Sequence, residues 1–347
     1  MTDKDFCLSS YMAFRYIWKD GVDFCEGFQH KNYLGPAAGE RVGVHTPEDI
    51  DREIRRQFDR LYSKYDSIGI LLSGGMDSAS LAAYLRPGSH AYTFSSATGE
   101  FNADVERAKV YCQQWQLRHH LIDITMADYE QFAPIVMRHK FAPVHSIEPQ
   151  IYKAAQMAHD DGVQLMVVGE SADLIFGGMD KLISPEWTFD AFVRRYTFLD
   201  PQLVLVRPVD QTGLFERYRL GDNGIDVMRF MDDVFAVESS GSYLNAFGAA
   251  WMPYYDPYAL LVMDGPLDMG RVRNGEPKYL VRGLYAMKYP GMEIPLKIPM
   301  PRPVDAVFSA WRGPQRPEFR RDIPMDRLTG NQKWQLWCAE QFLNMIQ

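Results

Sequence analysis

Short apolar runs alternate with amphipathic segments along the first half of the chain. Each run is apolar throughout rather than at every second position, which is typical of strands buried on both faces of a parallel sheet. Strands are predicted at 68–72, 90–96, 119–124 and 163–169, and helices at 47–63, 76–85, 102–117 and 149–162. This order predicts an α/β fold with a parallel, five-stranded-type sheet and helices on both faces, as in Rossmann-like folds.

The character of the sequence changes near residue 186, beyond which aromatic residues and Met are frequent, prolines are scattered and helix-like stretches dominate. We therefore expect three parts. These are an N-terminal extension and helix (1–64), the α/β core (65–185) and a mainly helical lobe that completes the site (186–347). Residues 1–45 have no clear period, and their pattern indicates no function.

The composition excludes several classes of function. The net charge of −8 disfavours nucleic acid as a partner. None of the four cysteines (Cys7, Cys25, Cys112 and Cys338) is spaced as CxxC, which argues against a zinc site or a disulfide framework and fits a reducing compartment. The chain starts without a signal-peptide pattern, and no apolar run approaches the roughly 20 residues that span a bilayer. A cytoplasmic protein without a membrane partner is expected.

The first predicted strand runs into a glycine turn and then a helix, in the sequence IGILLSGGMDSAS (68–80). This arrangement is typical of phosphate sites, because glycines let backbone N–H groups approach an anion and the helix N-terminus favours negative charge. Asp77 would repel phosphate unless Mg²⁺ lies between the two. The alternative is that Asp77 only caps the helix and the glycines only turn the chain. The spacing of these residues favours neither interpretation over the other. The lysine of a Walker A motif is absent.

A second loop, VVGESADLIFGG (167–178), places Glu170 and Asp173 just after the fourth predicted strand. Parallel strands end at one edge of a sheet, where ligands bind. Asp77 and Asp173 could therefore face each other and hold Mg²⁺, which leaves Glu170 for chemistry. The alternative for this loop alone is a capped helix with surface acids.

The two loops carry a family resemblance. SGGMDS resembles the SGGxDS loop of the N-type ATP pyrophosphatases, or PP-loop family, and GESADLIFGG resembles the GEGxDExFGG segment of asparagine synthetases. The resemblance implies an adenine nucleotide α-hydrolase-like fold, ATP cleavage between the α- and β-phosphates, and Mg²⁺ bound by Asp77 and Asp173. Glu170 matches the catalytic acid/base position. Ser171 and Leu174 depart from the pattern. The nucleotide-binding positions implied are Leu71, Leu72, Ser73, Gly74, Gly75, Asp77, Ser78, Gly169 and Lys278.

The C-terminal half extends the resemblance. KIPMPRPVDAVFSAWRG (297–313) is similar to a family stretch whose lysine steadies charge on the transferring phosphate, which implies a catalytic role for Lys297. EPKYLVRGLY (276–285) resembles the KxxLR helix of the family, which implies a structural or phosphate-adjacent place for Lys278 and Arg282. AAWMPYYDPYAL (249–260) matches only in part, because Ala249 and Trp251 replace a Glu and an Arg. That departure counts against aspartate as the acyl substrate. The aromatic residues of this segment could line a larger pocket or belong to the core.

The sequence therefore predicts an ATP-dependent amide-forming ligase. It would adenylate a small carboxylate and transfer the acyl group to ammonia or an amine. The chain before Ser73 is too short for the glutaminase domain of glutamine-dependent relatives, so a separate glutaminase is one possible nitrogen source. Two alternatives stay open: a nucleotide-binding homologue without catalysis, which Ala249 and Trp251 favour, and a PP-loop sulfur transferase, which the cysteine spacing and the net charge disfavour. The identities of the substrates and the oligomeric state are not predicted.

Overall fold

A parallel five-stranded sheet lies at the centre of the protein. The computed structural model describes residues 1–95, 102–296, 300 and 302–346. Its strands are β1 (Val42–Val44), β2 (Ile68–Leu71), β3 (His90–Ser95), β4 (Arg118–Asp123), β5 (Leu165–Val167), β6 (Arg219–Leu220), β7 (Gly224–Ile225), β8 (Tyr254–Tyr255) and β9 (Leu261–Met263). The sheet order is β4-β3-β2-β5-β8, and every pairing in it is parallel. The predicted α/β fold class is confirmed.

The order of the strands fixes where a ligand can bind. The chain builds β2, β3 and β4 outward in one direction and then returns to place β5 on the other side of β2. The carboxyl ends of β2 and β5 therefore flank the point where the winding direction reverses. Crevices at such points are the usual ligand sites of open α/β sheets. Both loops singled out from the sequence leave the sheet here.

The fifth strand comes from a part of the chain that the sequence analysis assigned to the helical lobe. Tyr254 pairs with Met166 and Tyr255 pairs with Val167, so β8 extends the sheet beside β5. Two residues are too few to show a strand period, and Pro253 and Pro257 flank them. The segment therefore gave no strand signal.

Seventeen α-helices surround the sheets in the described part of the chain. They are α1 (Lys4–Phe14), α2 (Pro47–Tyr62), α3 (Met76–Ala82), α4 (Asn102–Trp115), α5 (Met126–Lys140), α6 (Glu148–Asp160), α7 (Ala172–Ile175), α8 (Asp180–Ile183), α9 (Phe189–Tyr196), α10 (Pro201–Val204), α11 (Thr212–Glu216), α12 (Val227–Phe230), α13 (Ala236–Ala249), α14 (Met269–Arg273), α15 (Tyr279–Lys288), α16 (Val304–Phe308) and α17 (Gly330–Met345). A π-helical turn, Met231–Phe235, joins α12 to α13. None of the described helices combines the length and apolar character needed to cross a membrane.

Helices cover both faces of the sheet, as predicted. On one face Leu71, Tyr92 and Met166 pack against α1, α5, α6, α13 and α17. On the other face Ile70 and Val167 pack against α2, α3, α4 and α15. A third cluster, rich in phenylalanine, forms the core of the segment from α8 to α12. The sheet is thus buried on both sides, which explains why its strands are apolar throughout.

Two long helices within residues 1–185 were not predicted. In α5, Pro134 lies inside the helix, and proline normally ends a helical pattern. In α1 every residue from Cys7 to Phe14 is buried, so the segment lacks the polar face that marks an amphipathic helix. This helix belongs to the main core, where the Gln335 side chain of α17 donates a hydrogen bond to the Met12 carbonyl (3.1 Å).

Candidate functional site

The loops after β2 and β5 touch each other at the carboxyl edge of the sheet. A Cβ placed on Gly169 would lie 3.3 Å from the Asp77 carbonyl carbon and 3.3 Å from the Ser78 nitrogen. The second loop therefore packs directly against the start of α3. The structure brings together two segments that are about ninety residues apart in the sequence, at the edge where the strand pattern predicts a site.

The SGG turn is held in shape by its own serines. The Ser73 N–H donates to the Ser78 hydroxyl oxygen (3.0 Å), and the Gly75 N–H donates to the Ser73 hydroxyl oxygen (3.1 Å). Glycine is required at position 74, because a Cβ there would lie 2.5 Å from the Cα of Asp104. These hydrogen bonds and the close approach of Asp104 therefore hold the turn in one conformation beside the start of α3.

A buried lysine joins the acids of the two loops. The ammonium of Lys278, at the N-cap of α15, lies 2.5 Å from a carboxylate oxygen of Asp77 and 2.8 Å from one of Asp173. The Lys278 side chain is only 3% exposed. Burial opposes the charge on this ammonium, but the neighbouring carboxylates outweigh burial and raise the pKa of Lys278. The three side chains form a compact charged cluster beside the SGG turn.

The backbone around this cluster leaves no room for larger residues. Lys278 has a φ of 55°, a left-handed conformation that non-glycine residues rarely adopt. A Cβ on Gly178 would overlap the Asp173 carboxylate and lie 2.7 Å from the Lys278 Cδ. Gly178, at the end of the second loop, therefore makes space for the lysine and its partner.

The donor set fits a magnesium ion that arrives with a nucleotide. Mg²⁺ prefers oxygen ligands and is usually bound by one or two carboxylates together with phosphate oxygens. Asp77 and Asp173 supply two carboxylates at one place, next to the turn that would hold phosphate. Lys278 neutralises these acids in the structure described here.

Glu170 lies in the same cleft, in contact with α13. The Ser239 hydroxyl donates a hydrogen bond to its carboxylate. Burial raises the pKa of Glu170 to about 7; the hydrogen bond from Ser239 opposes this rise, and the charge of Asp173 adds to it. A carboxyl group with a pKa near 7 can accept and release a proton at neutral pH. Ser239 was not predicted, because a single serine in a helix that contains no recognised motif gives no signal of its own.

Asp256 fastens the second loop to the segment after β8. Its carboxylate accepts hydrogen bonds from the N–H groups of Ser171 (2.8 Å) and Tyr258 (3.1 Å). Burial raises the pKa of Asp256 to about 6, although these hydrogen bonds oppose the rise. The Tyr258 hydroxyl in turn donates to the Asp77 carbonyl oxygen (3.1 Å). Asp256 and Tyr258 therefore position the two acidic loops relative to each other.

Almost all of the described residues predicted for the site line one cavity of about 170 Å³. The predicted residues in its lining are Leu71, Leu72, Ser73, Gly75, Asp77, Ser78, Gly169, Glu170, Asp173 and Lys278. Gly74 supports this cavity from behind, against Asp104. The predicted catalytic Lys297 lies outside the described residues, so its position is not part of this description.

A larger cavity, of about 800 Å³, adjoins the second loop. Its lining includes Ser171, which follows Glu170 directly, and Tyr254 and Tyr255 of β8. Residues from the N-terminal segment, among them Tyr16 and Arg41, form another part of the wall. The aromatic residues of 249–260 therefore have different environments. Two of them line this cavity, Tyr258 is buried, and Trp251 is 89% exposed.

Comparison with known proteins places these loops in a family. A putative glutamine-hydrolyzing asparagine synthetase from Methanocaldococcus jannaschii is 25% identical over 172 residues, which cover 47% of this chain and 30% of that protein. The chain therefore matches about a third of the length of this relative. Two solved structures share 12% identity with this chain. They are NMN synthetase from Francisella tularensis (TM-score 0.30, covering 74% of this chain and 100% of that one) and the U34-tRNA thiolase NcsA from Methanococcus maripaludis (TM-score 0.28, covering 72% and 82%).

The likeness to these two structures is too distant to bear on function. The family model for asparagine synthase, in contrast, matches residues 49–264, a range that contains both acidic loops and β8. The chain belongs to the asparagine synthase family.

Proposed function

We propose that this protein is an ATP-dependent carbon–nitrogen ligase that adenylates a carboxylate and transfers the acyl group to ammonia or an amine. Membership of the asparagine synthase family supports an ATP-using synthetase. The observation that carries the proposal is the convergence of Asp77, Asp173, Lys278 and Glu170 on one cavity beside the SGG turn. A cytoplasmic location also belongs to the proposal, and the nitrogen source stays open between free ammonia, an amine-bearing substrate and a separate glutaminase.

In the first step, a carboxylate oxygen of the substrate attacks the α-phosphorus of ATP, and the bond to the pyrophosphate oxygen breaks. The SGG turn, which its own hydrogen bonds hold in shape, is the proposed binding place of the departing pyrophosphate. Lys278 adds a fixed positive charge beside it. Mg²⁺, bound with the nucleotide by Asp77 and Asp173, would neutralise charge on the phosphate oxygens. Lys297 is proposed, from the family pattern, to assist in the same way.

In the second step, the amine nitrogen attacks the acyl carbon, the bond to the AMP phosphate oxygen breaks, and the amine loses a proton. Glu170 is the proposed acceptor of this proton, because its pKa of about 7 lets it serve as a base at neutral pH. The cavity of about 800 Å³ next to Ser171 is the proposed binding place of the acyl substrate. A cavity of this size with tyrosines in its wall suits a substrate larger than aspartate.

The alternative of sulfur transfer has little support from the thiols. Cys7, Cys112 and Cys338 are buried. Burial raises the pKa of Cys112 and of Cys338 to about 12, so neither forms a thiolate readily at neutral pH. Cys25 is partly exposed, and burial raises its pKa as well. A sulfur carrier needs an accessible and reactive thiol, so we favour the ligase.

Two assays on one variant pair test the proposal. Exchange of labelled pyrophosphate into ATP should require a carboxylate substrate but no amine, because it reports only the first step. Glu170→Gln should keep this exchange and lose amide formation by about 100-fold or more, as expected for the removal of a general base. Asp173→Asn should lose both activities. Release of ADP and phosphate in place of AMP and pyrophosphate would refute the ligase mechanism. ATP binding without pyrophosphate release, with every carboxylate tried, would favour the non-catalytic homologue.

A further inference from the structure

A second cluster of metal-binding side chains lies at the opposite end of the sheet. It consists of His90, which begins β3, His120 near the start of β4, and Asp161, which caps the C-terminus of α6. The proposed ATP site lies beyond the carboxyl ends of the same strands. Since β3 rises by about 3.3 Å per residue, its two ends are about 16 Å apart. Tyr92 of β3 lines the cavity of the cleft, whereas His90, His120 and Asp161 do not, so the cluster adjoins the cleft but is not part of its wall.

The register of the sheet places the two histidines on one face. Side chains alternate along a strand, so His90 and Tyr92 point to the same side of β3. His120 is the direct cross-strand partner of Tyr92 and shares that side. The helix α6 packs over this face and ends above the pair, which brings Asp161 to the two rings. The arrangement follows from the fold and does not depend on a flexible surface loop.

The donor atoms are spaced as ligands of a single ion. The Nδ1 of His90 lies 3.0 Å from the Nε2 of His120 and 3.6 Å from the Oδ2 of Asp161. The other ring nitrogen of His120, Nδ1, lies 3.6 Å from this carboxylate oxygen, and only one of the two nitrogens would bind the ion. Zinc–nitrogen bonds of 2.0–2.1 Å in a tetrahedral site put neighbouring ligand atoms about 3.3 Å apart. One donor atom from each residue lies within 4.8 Å of the others.

The surroundings orient these donors. The Tyr92 hydroxyl donates to the same oxygen of Asp161 (2.7 Å), as outer-sphere groups do in metal sites. The side chains of His90, His120 and Asp161 are 12%, 27% and 32% exposed. The cluster is therefore shielded by protein and still reachable from solvent.

The electrostatic setting also favours a cation. The carbonyl groups at the C-terminus of α6 contribute partial negative charge next to Asp161. Arg118, the cross-strand partner of His90, opposes cation binding to some extent.

We propose that His90, His120 and Asp161 bind a late first-row divalent metal ion of the Zn²⁺ type, with water in the remaining position. Two imidazoles and one carboxylate are donors that suit zinc, whereas Mg²⁺ prefers oxygen ligands alone. The ion would tie β3 and β4 to the end of α6. Because none of the three ligands lines the cavity of the cleft, the proposed role of the ion is to stabilise the fold and not to take part in the ligase reaction. The cysteine spacing could not show this site, since no cysteine belongs to it.

The test measures Zn²⁺ affinity of the full-length chain after removal of metals with a chelator. Wild-type protein should bind one equivalent, seen by titration against a zinc indicator, and Co²⁺ should give the visible absorption of a tetrahedral site. His90→Gln and His120→Gln should each weaken Zn²⁺ binding at least 10-fold, since loss of even an outer-sphere partner costs about 10–100-fold. Tyr92→Phe should weaken it less than either.

Two controls make the result decisive. His159→Gln removes an exposed histidine of α6 that lies beside Asp160 and should leave Zn²⁺ affinity unchanged. Asp173→Asn, in the cleft, should also leave it unchanged. Should a histidine variant fail to fold, Asp161→Asn, which alters a partly exposed group, gives the same readout. Binding of equal strength in the cluster variants, loss of binding on Asp173→Asn, or no binding by the wild type would each overturn the proposal.

Discussion

Replacement of Lys278 by Met should destabilise the protein by leaving two acids without their shared partner. The Lys278 ammonium is 3% exposed, whereas Asp77 and Asp173 are 22% and 27% exposed. Removal of one member of a buried ion pair costs about 3–5 kcal/mol. Because solvent reaches both carboxylates, we expect the lower end of this range, about 3 kcal/mol.

This free energy can be read as a shift in melting temperature. Unfolding entropy is about 2.1 cal/mol/K per residue, so 347 residues that unfold together give about 0.7 kcal/mol/K. A loss of about 3 kcal/mol then lowers the melting temperature of Lys278→Met by about 4 °C. Calorimetry in a magnesium-free buffer is the direct measurement. Added Mg²⁺ should restore part of the loss, since it can neutralise the same acids.

Two further variants distinguish the buried cluster from an ordinary lysine. Lys109→Met removes a lysine that is paired with Glu106 on the surface, and it should cost less than about 1 kcal/mol. The double variant Lys278→Met, Asp173→Asn should be more stable than Lys278→Met alone, because one of the opposing charges is gone. Equal melting temperatures for Lys278→Met and wild type would show that the ion pairs contribute nothing, and the account of this cluster would be wrong.

Two more predictions concern the turn and the candidate base. Gly74→Ala should reduce ATP binding and cost about 1–3 kcal/mol of stability, because the new Cβ meets the Asp104 backbone. The control Gly213→Ala places its Cβ in open space and should change stability by no more than about 0.5 kcal/mol. Urea unfolding measures the stability of both variants, and nucleotide titration measures their ATP binding. The pKa of Glu170 is raised from 4.5 to about 7 in the folded state, so stability should fall as pH rises from 4.5 to 7 and then level off. At 1.36 kcal/mol per pH unit the full effect is about 3 kcal/mol, and Glu170→Gln should abolish it. A wild-type stability curve that rises across this window and matches that of Glu170→Gln would contradict the assigned cause.

The sequence was most informative where local physical requirements are strict. A glycine must stand at position 74, since any side chain would meet Asp104. This requirement appears in the sequence as a glycine motif directly after an apolar strand. The acids at Asp77 and Asp173 follow strands that are buried on both faces, so the edge at which they lie was predictable from the strand pattern alone. Short-range constraints of this kind survive in the sequence as motifs.

The sequence was least informative where position depends on tertiary contacts. The strand β8 contains two residues, and it forms because Met166 and Val167 offer an open edge. Ser239 reaches Glu170, which follows β5, only because α13 packs against one face of the sheet. The three donors of the proposed metal cluster come from two strands and a helix end, with no common spacing. Nothing in the local pattern of these residues differs from that of ordinary core or surface positions.

The charge balance of the cleft would let the proposed nucleotide site persist without its ligand. Two acids that face each other across touching loops would repel and would disfavour the closed arrangement of those loops. Lys278 removes this repulsion, because its ammonium contacts both carboxylates. When a nucleotide binds with Mg²⁺, the ion would replace Lys278 as the partner of the two carboxylates. The phosphates would replace the carboxylates as the partners of Lys278. The cleft can therefore stay assembled before and after ligand binding, with little reorganisation of its backbone.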